Sequence, residues 1–517
     1  MTPLPPWLEP LPDASEQRAL DQWAIEELGM AGIELMERAG SGLAKLVGER
    51  APQGPIAVVC GKGNNGGDGY VAARVLREQG RSVRVLTLVD PAELQGDART
   101  NFERLPGPPP EPFAPQGLEG AVALVDAILG TGFSGTPREP AAGAIEAINA
   151  AAERGGGSAG QATEVIACDV PSGVNGSTGE VEGAAVRATA TATFHAGKPG
   201  LWIAPGKQHA GVVRTVDIGI PPDGPAEPSI GLIGQEVVDA IPRRGRESTK
   251  FAAGSVLVCG GSTGLTGAPS MASESAMRAG AGYVTALVPA TLNQIFEARL
   301  LEVMSLPLPD DAGSLTTEAL DAVIERCQRA DALVLGPGFG RQAQALELAR
   351  QIAHDAPVPL LLDADGLNAH AGSLRTLAER EAPAVLTPHA GELARLLETD
   401  SRAVSGKRLE SVRRAASMAE SVVLLKGDDT LVASPDGRVA ISRGGASALA
   451  TAGTGDVLSG VIGAFLAKRM EAFEAACAGV FVHARSGQLA ARDLGPEGVI
   501  ASDVIGRLPA ALRDPGA

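Results

Sequence analysis

Short apolar runs alternate with segments of helical pattern along most of this chain, and this alternation limits the folds that it can adopt. A continuous apolar run between turn signals is typical of a strand that is buried on both faces. In the first half we predict strands at 56–60, 83–90, 121–129, 165–170 and 190–194, with two helices within 17–50 and further helices at 70–79 and near 141–152. Strands separated by helices predict a parallel sheet covered on both faces.

The second half repeats this alternation with different motifs, which indicates a second α/β domain and not a duplication. We predict strands at 255–259, 283–288, 332–336, 359–364, 384–388 and 422–427, and a hairpin formed by 430–434 and 438–442. Two long helices, near 454–468 and 471–491, are expected to end this domain. The proline-rich segment IPPDGPAEPSIG indicates a linker. The expected layout is two three-layer α/β/α domains at 1–220 and 232–517, joined by 221–231.

The formal net charge of −17 argues against a surface that binds nucleic acid or anionic membranes. No run approaches the ~20 apolar residues of a membrane span, and the N-terminal segment lacks the basic and apolar regions of a signal peptide. The five cysteines show no CxxC spacing, which indicates reduced core residues. We therefore expect a cytoplasmic protein that binds neither nucleic acid nor membranes.

A glycine-rich segment, GKGNNGGDG (61–69), lies between a predicted strand and a predicted helix. It matches G-x-G-x-x-G, and Asp90 lies 24 residues after the last glycine of that pattern. A dinucleotide-binding fold with a pyrophosphate at the helix N-terminus is therefore one interpretation, and a tight strand–helix turn is the other. Asn64, Asn65 and Asp68 add amides and a carboxylate that a close backbone approach does not require, which favours a ligand site.

Two further predicted strands end in polar residues. Asp126 leads into the loop 130–135, and Asp169 leads to Ser172. Ligands of open α/β sheets bind at the carboxyl ends of the strands, so these groups are expected to share one site, although each alone could be a helix cap or a turn former. The oxygen atoms of Asn65, Asp126 and Ser172 suit a group 1 or group 2 cation better than zinc.

The segment Gly453-Thr454-Gly455-Asp456 opens an apolar helix in the second half. The NH groups at such a helix start form an anion-binding site, and Asp456 projects from the first turn. An anion site beside a carboxylate is what phosphoryl transfer requires, since the transferred group needs charge stabilisation and the hydroxyl needs a base. The alternative is an aspartate that only complements the helix dipole, which explains Asp456 but neither glycine.

Three other loops follow predicted strands of the second half. They are 336–340, which is Gly-Pro-Gly-Phe-Gly, 387–392, which contains His389, and 426–430, which is Lys-Gly-Asp-Asp-Thr. Their position favours ligand contact. A hydrogen-bonded structural histidine is the alternative for His389, and a hairpin turn is the alternative for 426–430.

Four more polar residues are interpreted as structural. His195 and Lys198 lie near the last strand of the first half, where we expect a turn with a solvated lysine. Asp363 and Asp365 follow another predicted strand and are expected to be capping groups or groups behind the site.

Whole motifs then point to a known family. The first half resembles the NAD(P)H-hydrate epimerases through LMERAG, GNNGGDG, DAILGTGFSG and DVPSG, in this order. The second half resembles the ADP/ATP-dependent NAD(P)H-hydrate dehydratases through GGSTGLTGAPSMA, GPGFG, DADGLN, TPHAGEL, KGDDT and AGTGD. Together they are similar to the bacterial bifunctional NAD(P)H-hydrate repair enzymes. The resemblance implies an N-terminal Rossmann-like and a C-terminal ribokinase-like domain.

The resemblance also implies an activity. The epimerase interconverts the R and S forms of NADHX and NADPHX, and the dehydratase converts the S form to NADH or NADPH at the expense of ADP or ATP. Potassium is implied at the epimerase site and magnesium with the nucleotide, and we expect a homo-oligomer. Asp169 and Asp456 are the implied catalytic residues, and potassium would be held by Asn65, Asp126 and Ser172.

The remaining implied contacts follow the motifs. In the first half, the hydrate would contact Asn64, Asn65, Gly66, Gly67, Asp68, Gly130, Thr131, Gly132, Phe133, Ser134, Gly135, Thr136 and Asp169. In the second half, it would contact Ala268, Gly338, His389, Ala390, Gly391, Glu392, Leu393, Ala394, Arg395 and Asp456. The nucleotide would contact Lys426, Gly427, Asp428, Asp429, Thr430, Ala446, Ser447, Ala448, Leu449, Ala450, Thr451, Ala452, Gly453, Thr454 and Gly455.

Three other functions compete with this interpretation. An NAD-dependent oxidoreductase would explain the glycine-rich loop and would show redox turnover with a second substrate. A small-molecule kinase fused to a non-catalytic, epimerase-like scaffold domain would explain AGTGD and would form a stable phosphoester. A scaffold with no activity is the third, and the presence of Asn65, Asp126 and Asp169 argues against it.

Overall fold

The structure is a computed structural model that describes residues 3–155, 162–222, 224–247 and 249–513. The chain divides into two compact units, Pro10–Ile230 and the residues up to Glu9 together with those from Gly231 onward. The predicted linker, 221–231, lies at this division. Its Asp223 is outside the described residues, and its last two residues belong to a buried strand.

The first part of the chain alternates strands and helices as expected. In order, it contains β1 (Leu8–Pro10), α1 (Ala14–Glu26), α2 (Gly32–Arg50), β2 (Ile56–Cys60), α3 (Asn64–Glu78), β3 (Val83–Thr87), α4 (Gly96–Glu103), β4 (Glu111–Pro112), β5 (Ala123–Ala127), α5 (Ala141–Arg154), β6 (Glu164–Cys168), β7 (Ala190–Phe194), α6 (Lys207–Ala210) and β8 (Val212–Val216). Strands β2 to β8 form one parallel sheet in the order β4-β3-β2-β5-β6-β7-β8. The order reverses between β2 and β5, where open α/β sheets form their ligand crevice.

Strand β2 shows why the apolar runs become central strands. Ile56 and Val58 pack into one apolar cluster with α2 and α3, and Ala57 and Val59 pack into another with α5 on the opposite face. Alternate side chains of a strand point to opposite faces, so a strand covered on both faces must be apolar throughout. Burial of each valine or isoleucine contributes roughly 1.5–3 kcal/mol.

Helix α3 begins at Asn64 and not at residue 70, so the prediction of a glycine-rich loop before the helix was wrong. Glycine is a poor helix former in isolation, but here close packing decides the conformation. A Cβ atom on Gly66 would lie 2.1 Å from the Gly61 carbonyl oxygen. The glycines therefore let the first turns of α3 pack directly against the backbone that leaves β2.

The second part of the chain contains a larger sheet. Its elements are β9 (Ile230–Ile233), β10 (Ser255–Cys259), α7 (Gly267–Arg278), β11 (Tyr283–Pro289), α8 (Asn293–Arg299), β12 (Met304–Leu308), β13 (Asp310–Asp311), β14 (Ser314–Leu315), α9 (Leu320–Cys327), β15 (Ala332–Leu335), α10 (Ala343–Asp355), β16 (Leu360–Leu362), α11 (Ala364–Asn368), β17 (Ala384–Leu386), α12 (Ala390–Leu396), α13 (Ser401–Gly406), α14 (Arg408–Ala419), β18 (Val422–Leu425), β19 (Leu431–Ala433), β20 (Val439–Ile441), α15 (Thr454–Ala467), α16 (Ala472–Leu494) and α17 (Ala501–Ala511). The sheet order is β1-β9-β20-β19-β18-β17-β16-β15-β10-β11-β12.

Six strand pairs in this sheet, from β12 across to β18, are parallel. Strands β19 and β20 pair antiparallel, which confirms the predicted hairpin, and β18 also pairs antiparallel with β19. The carboxyl ends of β15 to β18 therefore lie along one edge, and the loops after them meet there. The expectation that α15 and α16 end the domain was wrong, because α17 follows and packs against α7 and α16.

The five cysteines are buried free thiols, as the absence of CxxC spacing predicted. None of the described helices combines the length and the apolar character that a membrane span requires.

Candidate active sites

A cavity of about 690 Å³ opens in the N-terminal unit where β2, β5 and β6 end. It lies at the reversal of strand order, as the polar strand ends predicted. The residues expected to contact a ligand that line it are Asn64, Asn65, Asp68, Gly130, Thr131, Gly132, Phe133 and Asp169. The other expected residues do not line it: Gly66 and Gly67 are buried in α3, and Ser134, Gly135 and Thr136 follow in the adjacent loop.

The three residues expected to hold a cation meet beside this cavity, where Asn65 lines the wall and Asp126 and Ser172 are buried behind it. The Ser172 hydroxyl donates to Asp126 Oδ1 at 2.6 Å, and the Ser172 backbone NH donates to Asp126 Oδ2 at 2.8 Å. The Leu129 carbonyl accepts from Asn65 Nδ2 at 3.0 Å and from Ser172 Oγ at 3.2 Å. Burial raises the pKa of Asp126 to about 6, and the hydrogen bonds from Ser172 oppose this shift because they favour the ionised form. Carboxylate, hydroxyl and carbonyl oxygens fit a hard cation.

Asp169 follows β6 and turns its carboxylate into the cavity. Its φ of 64° is in the left-handed region, which an aspartate tolerates better than most residues. Thr131 donates to Oδ2 through its hydroxyl and its backbone NH, and Thr193 Oγ1 donates to Oδ1 at 3.2 Å. Burial alone would raise the pKa of Asp169, but the Lys198 ammonium and the Thr131 hydrogen bonds lower it below the ordinary value. The group is therefore an anion at neutral pH.

Lys198 is not a solvated turn residue, so that prediction was wrong. Its side chain is 1% exposed, and Nζ lies 2.9 Å from Asp169 Oδ1. The ammonium also donates to the carbonyls of Phe194 at 2.7 Å and Ala196 at 3.0 Å. A buried charge must be paired and hydrogen-bonded, and Asp169 meets that requirement. The apolar residues on both sides of the GKPG segment were the only sequence signal of burial.

Helix α1 contributes residues to the cavity that the sequence analysis missed. Gln17 and Asp21 line it, and Gln17 Nε2 donates to Asp21 Oδ1 at 2.9 Å. Burial raises the pKa of Asp21, and the hydrogen bond from Gln17 opposes this shift. No strand end or glycine pattern marks α1, so only the folded structure brings it here.

In the C-terminal unit, Asp456 lies in the first turn of α15, as expected. Helix α15 packs over β10, β15 and β16, which brings its N-terminus to the carboxyl edge of the sheet. Burial raises the pKa of Asp456 to about 7; the negative charge of Asp363 adds to the shift and Lys426 opposes it. A carboxylate that titrates near neutral pH is suited to act as a base.

Lys426 follows β18 and reaches three carboxylates. Nζ lies 2.8 Å from Asp363 Oδ1 and 3.9 Å from Glu392 Oε2, and the Asp456 charge acts on it as well. Asp363 Oδ2 also accepts from the Ser459 hydroxyl at 2.7 Å. Burial alone would raise the pKa of Asp363, but Lys426 lowers it. Asp363 is therefore the main counter-ion of Lys426, behind the helix start.

The segment 389–395 forms the start of helix α12. His389 Nδ1 accepts from the NH groups of Gly391 at 3.0 Å and Glu392 at 3.3 Å, and the Glu392 carboxylate accepts from the His389 NH at 2.8 Å. His389 is therefore a helix cap, and its exposed side chain remains able to contact a ligand. Arg395 is exposed and donates to Asn368 Oδ1 at 2.9 Å, while Leu393 and Ala394 are buried.

Gly338 and Ala268 lie next to each other. A Cβ atom on Gly338 would lie 3.3 Å from Ala268 Cβ and 2.4 Å from the Leu265 carbonyl oxygen, and its φ is +62°. The Ser262 hydroxyl donates to the Gly338 carbonyl at 2.9 Å. The loops after β10 and β15 are thus held together where the sheet order reverses.

The loop 426–430 is only partly exposed. Asp429 is 2% exposed, and its Oδ2 accepts from Arg408 Nε at 2.8 Å. The Thr430 hydroxyl donates to the Gly427 carbonyl at 2.6 Å. Asp429 thus points into the unit, whereas Gly427 and Asp428 are exposed.

The segment 446–455 leads into α15. Ser447–Leu449 forms one 3-10 turn, and the Thr454 hydroxyl donates to the Leu449 carbonyl at 2.8 Å. Gly453 adopts a φ of +89°, and a Cβ atom on Gly455 would lie 3.7 Å from Lys426 Nζ. The structure therefore brings the helix start and the loop after β18 together, as both nucleotide-binding predictions require.

The fold and these two regions define a protein with two α/β units, each with polar groups collected at the carboxyl edge of its sheet. A family model described as NAD(P)H-hydrate dehydratase matches residues 256–510, and a model described as YjeF-related protein N-terminus matches residues 32–200. The bifunctional NAD(P)H-hydrate repair enzyme Nnr of Moorella thermoacetica is 39% identical over 520 residues, which cover 97% of this chain and 96% of the relative. The chain belongs to the family of bifunctional NAD(P)H-hydrate repair enzymes.

A second relative agrees with this family. The corresponding enzyme of Salinibacter ruber is 38% identical over 536 residues, which cover 97% of this chain and 95% of the relative. A solved structure of the ADP/ATP-dependent NAD(P)H-hydrate dehydratase of Bacillus subtilis, co-crystallised with ATP/Mg²⁺, is 27% identical, with a TM-score of 0.48, and covers 54% of this chain and 96% of that chain. Both units are α/β, and each is built on a largely parallel sheet.

Proposed function

We propose that this chain repairs hydrated nicotinamide cofactors. The N-terminal unit interconverts the R and S forms of NADHX and NADPHX, and the C-terminal unit dehydrates the S form at the expense of ADP or ATP. The observation that best supports this proposal is the 39% identity to a repair enzyme over nearly the whole length of both chains. We place the boundary of the two activities at the division between residues 230 and 231.

In the N-terminal unit, the reaction takes place in the 690 Å³ cavity. The hydrate carries its hydroxyl at C6 of the ring, and loss of that group gives a planar iminium that water can enter from either face. Asp169 acts on the hydroxyl or water proton at this carbon. Its carboxylate is positioned by Thr131 and Lys198, which leaves it ionised and able to act as a base.

Potassium would be held by Asn65, Asp126 and Ser172. Their oxygen atoms are ligands that suit a monovalent hard cation. The pKa of Asp126, about 6, leaves its carboxyl group mostly ionised at neutral pH, so it can supply a negative charge to the ion. When bound, the ion supplies a positive charge at the cavity wall. The Leu129 carbonyl orients both Asn65 and Ser172 through hydrogen bonds whether or not an ion is bound.

In the C-terminal unit, the S hydrate has a poor leaving group. Asp456 takes the proton of the hydroxyl while its oxygen attacks the terminal phosphorus of the nucleotide, and the shortened nucleotide departs. The resulting phosphate ester then loses phosphate from C6, and a proton leaves the neighbouring ring carbon to restore the double bond. The NH groups of Gly453, Thr454 and Gly455 stabilise the phosphoryl oxygens at the start of α15.

Lys426 supplies a positive charge beside that helix start, because Asp363 and Glu392 hold its ammonium in place. The exposed residues of 426–430 and 446–455 contact the nucleotide, and magnesium would accompany its phosphates and offset their charge. The hydrate contacts the exposed face of α12 together with Gly338 and Ala268. We also propose a cytoplasmic location. We propose in addition that the protein is a homo-oligomer, and light scattering on the purified protein tests this assembly state.

The experiment that tests the proposed function uses the R and S hydrates separately. With ADP, magnesium and potassium present, both should yield NADH, the R form only after conversion to the S form. Without nucleotide, either form should give a mixture of R and S and no NADH. Recovery of a stable phosphoester, or hydride transfer to a second substrate, would contradict the proposal.

A further inference from the structure

The Asp68 carboxyl group faces the N-terminal cavity without a hydrogen-bond donor. Asp68 lies on α3, is 7% exposed, and lines the cavity. Within the described residues, no hydrogen bond or ion pair reaches its carboxyl oxygens. A buried carboxylate without such contacts is costly, and the usual outcome is that the group binds a proton.

Asp169 lines the same cavity and has the opposite surroundings. It accepts from Thr131 and Thr193 and pairs with the Lys198 ammonium at 2.9 Å. These contacts stabilise the anion. Among the carboxyl groups that line the cavity, Asp169 is thus held by several donors and Asp68 is buried without any, and such a pair can divide the roles of acid and base between its members.

The proposed epimerisation needs both roles. A hydroxyl group leaves C6 more easily as water than as hydroxide, so a proton donor must act on the departing side. The entering water must lose a proton after it bonds to C6, so an acceptor must act where it enters. Asp169 alone would have to serve both steps, whereas two carboxyl groups can serve them separately.

We propose that Asp68, in its protonated form, is the catalytic acid of the epimerisation and that Asp169 is the base. Asp68 gives its proton to the C6 hydroxyl, the C–O bond breaks, and water leaves while the ring nitrogen lone pair forms the iminium. Water then bonds to C6 from the other face and gives a proton to Asp169. The reverse reaction uses the same two groups with their roles exchanged, and proton exchange with water in the open cavity restores the starting state. This inference rests on the proposed function.

The charges around Asp68 support the assignment. Asp21 on α1 and Asp169 after β6 face it as carboxyl groups, the Lys198 ammonium is the positive group, and the thiols of Cys60 and Cys168 lie close by. Burial raises the pKa of Asp68 well above the ordinary value, the charges of Asp169 and Asp21 raise it further, and Lys198 opposes the shift. The epimerisation rate should therefore fall as pH rises through the pKa of Asp68.

The test measures R-to-S interconversion by the full-length protein and its Asp68→Asn variant. Asparagine preserves the shape of the side chain and removes the acidic proton. The expected result is a fall in kcat of about 100-fold or more, the usual contribution of a general acid, with little change in KM. The matched control is Glu78→Gln, since Glu78 is an exposed carboxylate at the other end of α3, pairs with Arg74 and does not line the cavity. Thermal unfolding of the variant reports whether the N-terminal unit remains folded, and ADP-dependent dehydration of the S form by the same preparation reports the amount of active C-terminal unit.

The outcomes separate this inference from the proposed function. If the wild-type protein does not interconvert the two forms, the proposed function fails. If it does and Asp68→Asn retains kcat within a few-fold of wild type, or loses only affinity for the hydrate, the acid assignment is overturned and Asp68 is a binding residue.

A second measurement applies if Asp68→Asn does not fold. The wild-type rate, corrected for the uncatalysed reaction, should decline on the alkaline side of its pH profile, and isotopic oxygen from labelled water should appear at C6 during epimerisation. A rate that stays level toward alkaline pH, or epimerisation without oxygen exchange, would overturn the proposal.

Discussion

Lys198 Nζ lies 2.9 Å from Asp169 Oδ1, and the lysine side chain is 1% exposed. Two backbone carbonyls, those of Phe194 and Ala196, accept from the same ammonium and fix its position. The pair allows an ionised carboxylate at a buried position, because the positive charge of the Lys198 ammonium replaces the stabilisation that water would give to Asp169. The Asp169 carboxylate is thereby positioned and kept as an anion.

Replacement of Lys198 tests this relationship. Lys198→Met removes the positive charge, so the pKa of Asp169 should rise from its lowered value, and less of the base should be ionised at a given pH. The acid side of the epimerisation pH profile should therefore move to higher pH. The epimerisation rate at neutral pH should also fall on the order of 100-fold, because the carboxylate is no longer held in position. The variant should also unfold more easily by about 3–5 kcal/mol, because it breaks a buried pair.

The matched control for that variant is Lys45→Met, since Lys45 is an exposed lysine on α2. It should leave the pH profile unchanged and should change the free energy of unfolding by no more than about 0.5 kcal/mol. An unshifted acid limb in Lys198→Met would show that Lys198 does not set the ionisation of Asp169.

Asp169 itself gives a second prediction. Asp169→Asn keeps the size of the side chain and removes the base, so epimerisation should slow by roughly 100- to 10,000-fold. Dehydration of the S form should stay at the wild-type rate, because that reaction belongs to the other unit. The two rates are measured on one preparation by separating R and S forms chromatographically and by following NADH absorbance. Near-normal epimerisation would assign the base to another residue.

Asp429 gives a prediction about stability. Its carboxylate is buried against Arg408, at 2.8 Å from Nε. Asp429→Ala would leave the buried guanidinium without this partner, so the free energy of unfolding of the C-terminal unit should fall by about 3–5 kcal/mol. Glu325→Ala, at an exposed position of α9, should change it by at most about 0.5 kcal/mol. Urea unfolding of both variants measures the difference, and equal effects would contradict a specifically structural role for Asp429.

Much of the fold follows from the chain alone. The strands β2, β5, β10 and β15 were predictable because central strands of a covered parallel sheet must be apolar at every position. The hairpin β19–β20 was predictable from its Pro-Asp-Gly turn. Because parallel strands end at a common edge, the polar residues after β5 and β6 could also be expected to meet in one site.

Other features depend on contacts between distant parts of the chain. Helix α3 begins earlier than its glycines suggested, since they pack against other elements: a Cβ atom on Gly67 would lie 2.6 Å from Met36 Sδ on α2. Lys198 looked like a surface residue because its partner, Asp169, lies in another loop, and Asp21 enters the cavity from a helix with no motif. Local propensity contains no information about such partners.

The measurement that tests the account most directly is dehydration of the S hydrate by Asp456→Asn. With ADP and magnesium, wild-type protein should release NADH and phosphate together, at a rate that rises with pH through about 7 as the Asp456 carboxyl ionises. The variant keeps the shape and loses the base, so both products should disappear while nucleotide binding and R/S interconversion remain. Wild-type release of NADH and phosphate by Asp456→Asn would contradict the account, and loss of nucleotide binding instead would make Asp456 a structural residue of α15.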